Sequence, residues 1–158
     1  FVGDGALDHE DYDIWGMGVG VDKVWSTYFT WLGEMARTGM YDVLAHPDLV
    51  KHWGGRRPMP EGDLRRFYDL AMDGIAESGI AIEVSTAGLR KPVAELYPAP
   101  AFAAMCVEAG AAFSLSSDAH APEEVGRDYD RAIEAMHGWG VEEIAVFERR
   151  ERRLEPLG

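Results

Sequence analysis

YDVLAHPD (residues 41–48), IAIEVSTAGLRK (80–91) and AAFSLSSDAH (111–120) are the three stretches that decide the fold. Each begins as a short apolar run and ends in polar, chemistry-bearing side chains. Such runs are typical of strands in a parallel sheet that is covered on both faces, and they are too short for helices. The carboxyl ends of parallel strands meet at one edge, where α/β folds hold their ligands. The three stretches therefore predict an α/β fold with a site at that edge.

Helical periodicity and chain-breaking residues predict how these strands are connected. Apolar side chains recur at helical spacing between the apolar runs, and proline or glycine marks the helix ends. The predicted helices are 21–39, 61–78, 100–110 and 122–138. The predicted strands are 40–45, 80–84, 111–115 and 143–147, followed by an Arg/Glu-rich tail that we expect to be a solvated edge. Strands separated by helices indicate a parallel sheet.

The length of 158 residues indicates a single domain, or a piece of one, over residues 1–158. A doubly wound sheet and an arc of a TIM-like barrel are both compatible with the order of elements. A complete eightfold barrel needs at least about 200 residues, so this chain alone cannot supply one. Residues 1–21 hold five acids, five glycines and no lysine or arginine, and they predict a long loop before the elements of 22–158.

Composition excludes several classes of function. The net charge of −13 argues against a nucleic-acid-binding surface, which needs basic stripes. A single cysteine, Cys106, cannot form an internal disulfide. No apolar run approaches the 18 or more residues of a membrane span. We therefore expect a cytoplasmic protein with no membrane partner and no nucleic-acid partner.

Metal-binding side chains follow the first and third predicted strands. His46 ends the first strand, and Asp118 and His120 follow the third. In an extended segment, a spacing of one residue points Asp118 and His120 the same way. Imidazole and carboxylate suit Zn, Mn or Fe. A turn with a local Asx bond is the alternative for this D-x-H, and the matching position of His46 favours the metal.

Basic side chains follow the second predicted strand. Arg90 and Lys91 come after a Ser-Thr-x-Gly turn, and arginine and lysine are the usual phosphate-binding residues. In so acidic a chain, bases beside a metal cluster predict a small anionic substrate. His9, in the acidic loop, is a further candidate to touch that substrate, although an exposed loop histidine is the commoner case. His52 and His137 belong to no motif.

DVLAHPDLVKHWG (42–54), IEVSTAGLRKPVAELYP (82–98) and SLSSDAHAPEEVG (114–126) together resemble the polymerase-and-histidinol-phosphatase (PHP) superfamily, in its histidinol-phosphatase branch. The specific features are S-D-A-H followed by P-E-x-V-G, an upstream H-x-D and T-x-G-L-R. The resemblance runs over nearly the whole chain. It implies an arc of a distorted TIM-like (β/α)7 barrel with up to three divalent metals at the carboxyl ends of the strands.

The resemblance also implies roles for individual residues. His46, Asp118 and His120 would be metal ligands, the last two in the catalytic centre. Arg90 would bind the substrate phosphate, and Ser85 stands where the family commonly has a substrate-binding asparagine. The implied reaction is the hydrolysis of L-histidinol phosphate to L-histidinol and phosphate, in histidine biosynthesis.

The family's other metal ligands belong to motifs that precede the point where this sequence begins. We therefore expect the C-terminal portion of one barrel, with N-terminal strands missing. It would be inactive by itself, and a complementing N-terminal segment or a homo-oligomer could complete it. A PHP phosphoesterase for another small phosphate ester is one alternative. A non-catalytic, metal-binding remnant is another.

Overall fold

A mixed five-stranded sheet flanked by helices forms the part of the chain that the computed structural model describes, residues 3–158. Residues 1 and 2 of the predicted N-terminal loop lie outside the described residues. The helices are α1 (Val21–Arg37), α2 (Arg65–Ser78), α3 (Pro100–Glu108) and α4 (Tyr129–Gly138). The strands are β1 (Val43–Leu44), β2 (Ala81–Ser85), β3 (Phe113–Ser116), β4 (Glu143–Glu148) and β5 (Glu151–Pro156). Over this described part, no helix has both the length and the apolar character needed to cross a membrane.

The order of the strands in the sheet is β1-β2-β3-β4-β5, the order of the chain. The first four strands are parallel, which confirms the predicted α/β class, and β5 is antiparallel to β4. A doubly wound sheet has a point at which the strand order reverses, and these strands have none. Helices α2, α3 and α4 connect these strands, and all three contribute side chains to the hydrophobic core that β1, β2 and β3 also join, which indicates that the helices lie on one face of the sheet.

The two faces of the sheet differ in character. Leu44, Ile82 and Phe113 occupy one face in register and are buried in the hydrophobic core. Glu83 and Ser114 pair on the opposite face and are only partly buried. Ala81 and Ser85 share this second face with Glu83 and are fully buried, so the face is covered in part and carries short and polar side chains.

Aromatic rings join the first three helices into one core. Phe102 of α3 stacks on Tyr68 of α2, with ring centroids 4.8 Å apart, and meets Phe29 of α1 edge-on at 5.4 Å. Helices α1 and α2 are in close contact where Gly33 lies against Gly74. A methyl group added to Gly74 would overlap the carbonyl group of Gly33. The absence of both side chains sets the distance between the helices.

The predicted fourth helix is wrong in its first part. Pro122–Glu124 is a single 3-10 turn, and α4 begins only at Tyr129. Gly126 and Asp128 adopt left-handed conformations, with φ of +73° and +60°, which interrupt a right-handed helix. The predicted solvated tail is ordered as β5, whose side chains are mostly exposed.

The β4–β5 hairpin turns away from the rest of the sheet. Strand β4 pairs with β3 only between Phe113 and Ile144. Beyond that pair, Arg150 at the hairpin tip bonds Asp42, just before β1, at 3.1 Å. Arg152 donates to the carbonyl oxygen of Gly79, just before β2, at 2.8 Å. The hairpin therefore lies across the amino ends of the parallel strands, opposite the edge at which the site is expected.

We expect Gly74→Ala to lower the free energy of unfolding by about 1–3 kcal/mol, because the added methyl group meets the backbone of Gly33. The measurement is a urea denaturation curve. Gly138→Ala is the matched control, since Gly138 also lies in a helix and has open space around its Cα. The control should be neutral or stabilising by up to about 1 kcal/mol. Equal effects of the two substitutions would contradict the close packing of α1 on α2.

Candidate functional site

The carboxyl ends of β1, β2 and β3 surround a small cavity of about 160 Å³. The predicted site residues that line it are His46, Lys91, Asp118 and His120. Five further residues line it that the sequence patterns did not single out as site residues: Asp8, Leu49, His52, Ala87 and Tyr97. Parallel pairing puts the three strand ends on the same side, which is why residues far apart in the chain meet here.

His46 occupies a tight turn directly after β1. Its φ of +33° is rare for a residue with a side chain. The backbone N–H of His46 donates to Oε2 of Glu83 at 2.7 Å. Because Glu83 lies within β2, this bond fixes the turn to the neighbouring strand. The imidazole ring of His46 meets the ring of Tyr97 edge-on at 6.3 Å.

Asp118 and His120 lie in a turn rather than in an extended segment. Asp118 has a φ of +47°, so the expectation that extended geometry aligns the two side chains is wrong. The backbone N–H of Asp118 donates to Oγ of Ser116 at 2.9 Å. Nδ1 of His120 lies 2.9 Å from the carbonyl oxygen of Asp118. Both side chains nevertheless line the same cavity.

The guanidinium group of Arg90 contacts other residues of the protein, and Arg90 does not line the cavity. Its Nη2 donates to the carbonyl oxygen of Ser117 at 2.8 Å, and its Nε lies 3.5 Å from Oε1 of Glu124. Oε2 of Glu124 accepts the backbone N–H of His120 at 3.0 Å. Arg90 and Glu124 thus link the turn after β2 to the loop that carries Asp118 and His120.

The other two predicted substrate contacts lie away from the cavity. Ser85 is fully buried, and its Oγ accepts the backbone N–H of Ala87 at the start of the turn after β2. His9 is exposed, and its Nδ1 accepts the backbone N–H of Asp11. Lys91 is therefore the one predicted substrate-binding residue that reaches the cavity within residues 3–158.

An ion cluster in which Lys51 and Asp48 are buried and Glu95 is partly exposed lies next to the cavity. Nζ of Lys51 lies 3.0 Å from Oδ2 of Asp48, 2.6 Å from Oε2 of Glu95 and 2.7 Å from the carbonyl oxygen of Leu96. Oδ2 of Asp48 also accepts the backbone N–H of Ala99 at 2.7 Å. Burial raises the pKa of Asp48, and the Lys51 charge opposes that rise. The cluster ties the turn after His46 to residues 95–99. The sequence signal for it is the pair Asp48 and Lys51, which stand three positions apart on either side of Leu-Val.

The donor types of His46, Asp118 and His120 fit a divalent cation such as zinc or manganese. Their arrangement is less complete. Among residues 3–158, no group of three or more His, Cys, Asp or Glu side chains is close enough to hold a metal ion. One ring nitrogen of His120 is also occupied by its own turn. The described residues therefore offer suitable donors in one cavity without forming a complete metal site.

Comparison with known proteins identifies two relatives. A probable histidinol-phosphatase of Deinococcus radiodurans is 34% identical over 151 residues, which are 96% of this chain and 52% of the relative. A probable histidinol-phosphatase of Schizosaccharomyces pombe is 31% identical over 71 residues, 45% of this chain and 23% of the relative. The chain thus spans about half the length of the Deinococcus relative. No family model matches the sequence.

We expect Lys51→Met to destabilise the protein by about 3–5 kcal/mol, because it leaves the Asp48 carboxylate buried without its cation. Lys23→Met, at an exposed position on α1, is the control and should change stability by less than about 0.5 kcal/mol. Thermal and urea unfolding measure both. Adding Asp48→Asn to Lys51→Met should recover part of the loss, because the buried charge is then gone. A Lys51→Met protein as stable as its control would contradict a strong buried pair.

The hydrogen bond from the backbone N–H of His120 to the Glu124 carboxylate should depend on pH. The bond from the His120 N–H, aided by Arg90, holds the pKa of Glu124 below its usual value. Because the pKa of Glu124 is lower in the folded protein than in the unfolded chain, this hydrogen bond stabilises the loop fully above the ordinary glutamate pKa of about 4.3. The stabilisation is lost as the pH falls through the folded-state pKa of Glu124. We expect the NMR shift of the His120 amide to titrate with a midpoint below about 4.3.

Glu124→Gln should abolish this titration of the His120 amide, whereas Glu123→Gln, at the exposed neighbouring position, should preserve it. A titration that survives in Glu124→Gln would assign the bond to another carboxylate.

Proposed function

We propose that this chain forms one side of the active site of a metal-dependent phosphomonoesterase whose substrate is L-histidinol phosphate. The observation that supports the proposal is the meeting of His46, Lys91, Asp118 and His120 around one cavity at the carboxyl ends of three parallel strands. The names of the two relatives support the substrate, and the motifs of the histidinol-phosphatase branch support the metal dependence.

We further propose that the sheet is an arc of a distorted (β/α)7 barrel. Sequential parallel strands with helices on one face are what such an arc requires, and the polar face that carries Glu83 then faces the barrel interior. The C-terminal part of a PHP-type barrel would in this way include residues 22–158, with residues 1–21 as a loop over the site. Leu7 and Asp8 of that loop support this, since Asp8 lines the cavity and the carbonyl group of Leu7 accepts a hydrogen bond from Trp53.

In this proposal His46, Asp118 and His120 are part of the donor set for zinc, manganese or iron. When bound, such a cation neutralises phosphate charge and lowers the pKa of a bound water. Lys91 binds the phosphate as a point charge. Arg90, which the resemblance assigns to the phosphate, holds the Asp118–His120 loop and would reach substrate only by leaving Ser117. The remaining metal donors come from a complementing segment or from a second copy of this chain.

One observation favours a different function. The described residues gather no set of three metal donors, which is also what a non-catalytic remnant would show. The two functions differ in outcome once all donors are present. The phosphatase releases phosphate, and the remnant does not. A phosphoesterase for another substrate releases phosphate from other small esters in preference to histidinol phosphate.

The test is phosphate release from L-histidinol phosphate with Mn²⁺ or Zn²⁺. We expect the complete product of the gene that encodes this sequence to be active, and the 158-residue chain alone to be inactive because its residues 3–158 hold no full donor set. In the active protein, Asp118→Ala and His120→Ala should abolish turnover and reduce bound metal. Asp130→Ala, at an exposed position on α4, is the matched control and should change neither.

Robust metal-stimulated turnover by the 158-residue chain would overturn the expected incompleteness. Full turnover with unchanged metal content in Asp118→Ala would overturn the assigned site.

A further inference from the structure

His52 is held in a single orientation at the wall of the site cavity. It follows a 3-10 turn at Leu49–Lys51, six residues after His46, and its residue surface is 7% exposed. Its ring packs against the ring of Trp53, with centroids 4.9 Å apart. The ring nitrogen Nδ1 lies 3.3 Å from the hydroxyl oxygen of Tyr97. Two aromatic neighbours therefore fix both the position and the rotation of the imidazole.

The partner of Nδ1 decides which nitrogen carries the proton. Tyr97 is 1% exposed, and a tyrosine hydroxyl, with its ordinary pKa of about 10, keeps its hydrogen at neutral pH. Nδ1 of His52 is the hydrogen-bond partner that the described residues offer to this hydroxyl. A buried donor is costly to leave unsatisfied, so the Tyr97 hydroxyl donates and Nδ1 accepts. In a neutral imidazole the proton then sits on Nε2.

The charges around His52 favour the neutral ring. Burial lowers the pKa of His52, and Lys91 and His46 lower it further, while Asp8 opposes them. Nε2 has no hydrogen-bond partner among residues 3–158. It is also not wholly buried, because it is absent from the described side-chain atoms that are both wholly buried and unpaired. Since His52 lines the cavity, its Nε2–H is a free donor on the cavity wall.

We infer that His52 is a ligand-recognition residue whose Nε2–H donates a hydrogen bond to a phosphate oxygen bound in the site cavity. The inference deepens the proposed function and rests on it for the choice of a phosphate monoester as ligand. A neutral donor suits this position because Lys91 already supplies a positive charge, while Asp8 and Asp118 repel an anion. The fixed tautomer means that the donor needs no proton rearrangement when the ligand arrives.

The first experiment measures the tautomer in the chain without ligand. Long-range ¹H–¹⁵N spectra of histidine-labelled protein should show His52 protonated on Nε2. Tyr97→Phe removes the hydroxyl group and should give a mixture of tautomers. A His52 protonated on Nδ1, or a tautomer unaffected by Tyr97→Phe, would overturn the inference.

The second experiment uses inorganic phosphate as the probe, titrated into the same chain. We expect the Nε2 resonance of His52 to shift, and His52→Phe to weaken phosphate binding roughly tenfold. His52→Gln, whose amide can donate from a similar position, should bind within about threefold of the parent chain. His137→Phe, at an exposed position on α4, is the matched control and should bind normally. A urea curve for each variant separates lost binding from lost folding.

The outcomes distinguish this inference from the proposed function. Phosphate binding that depends on His52, in a protein that never hydrolyses histidinol phosphate, would leave the inference standing and remove the function. Hydrolysis of histidinol phosphate by His52→Phe with an unchanged KM would leave the proposed function standing and remove the inference. The absence of any phosphate-induced shift at His52, or equal binding by His52→Phe and the parent chain, would overturn the inference.

Discussion

The buried ammonium group of Lys51 is the interaction on which the site geometry depends. It joins Asp48, two residues after His46, to Glu95 and Leu96, just before Tyr97. Burying a charge costs free energy unless its partners are close and its hydrogen bonds are made, and here all three contacts lie within 3.0 Å. These contacts therefore hold the turn after β1 against the segment before α3.

Arg90 provides a second connection: it joins the loop after β2 to the loop after β3, as Lys51 joins the turn after β1 to residues 95 and 96. The guanidinium group of Arg90 contacts Ser117 and Glu124 and so holds the loop of Asp118, instead of facing the cavity. The cavity consequently carries one lysine, Lys91, beside two aspartates, Asp8 and Asp118. This balance follows from contacts within the chain rather than from its net charge.

Local patterns explain why much of the architecture is predictable. Apolar runs ended by polar residues locate β1, β2 and β3, and from their parallel pairing it follows that His46, Asp118 and His120 share one edge. Two features were missed because residues distant in the sequence decide them. The inward turn of Arg90 depends on Ser117, 27 positions away, and the role of His52 depends on Tyr97, 45 positions away. The broken start of α4 follows from left-handed residues within an acidic, helix-like stretch.

The two outer strands differ in how readily another strand could pair with them. Strand β5 reads ERRLEP, and its exposed charges and terminal proline discourage pairing with a further strand. Strand β1 has two residues and no such charges, and it carries His46 at its end. A further strand added to this sheet would therefore pair with β1, next to the turn that holds His46.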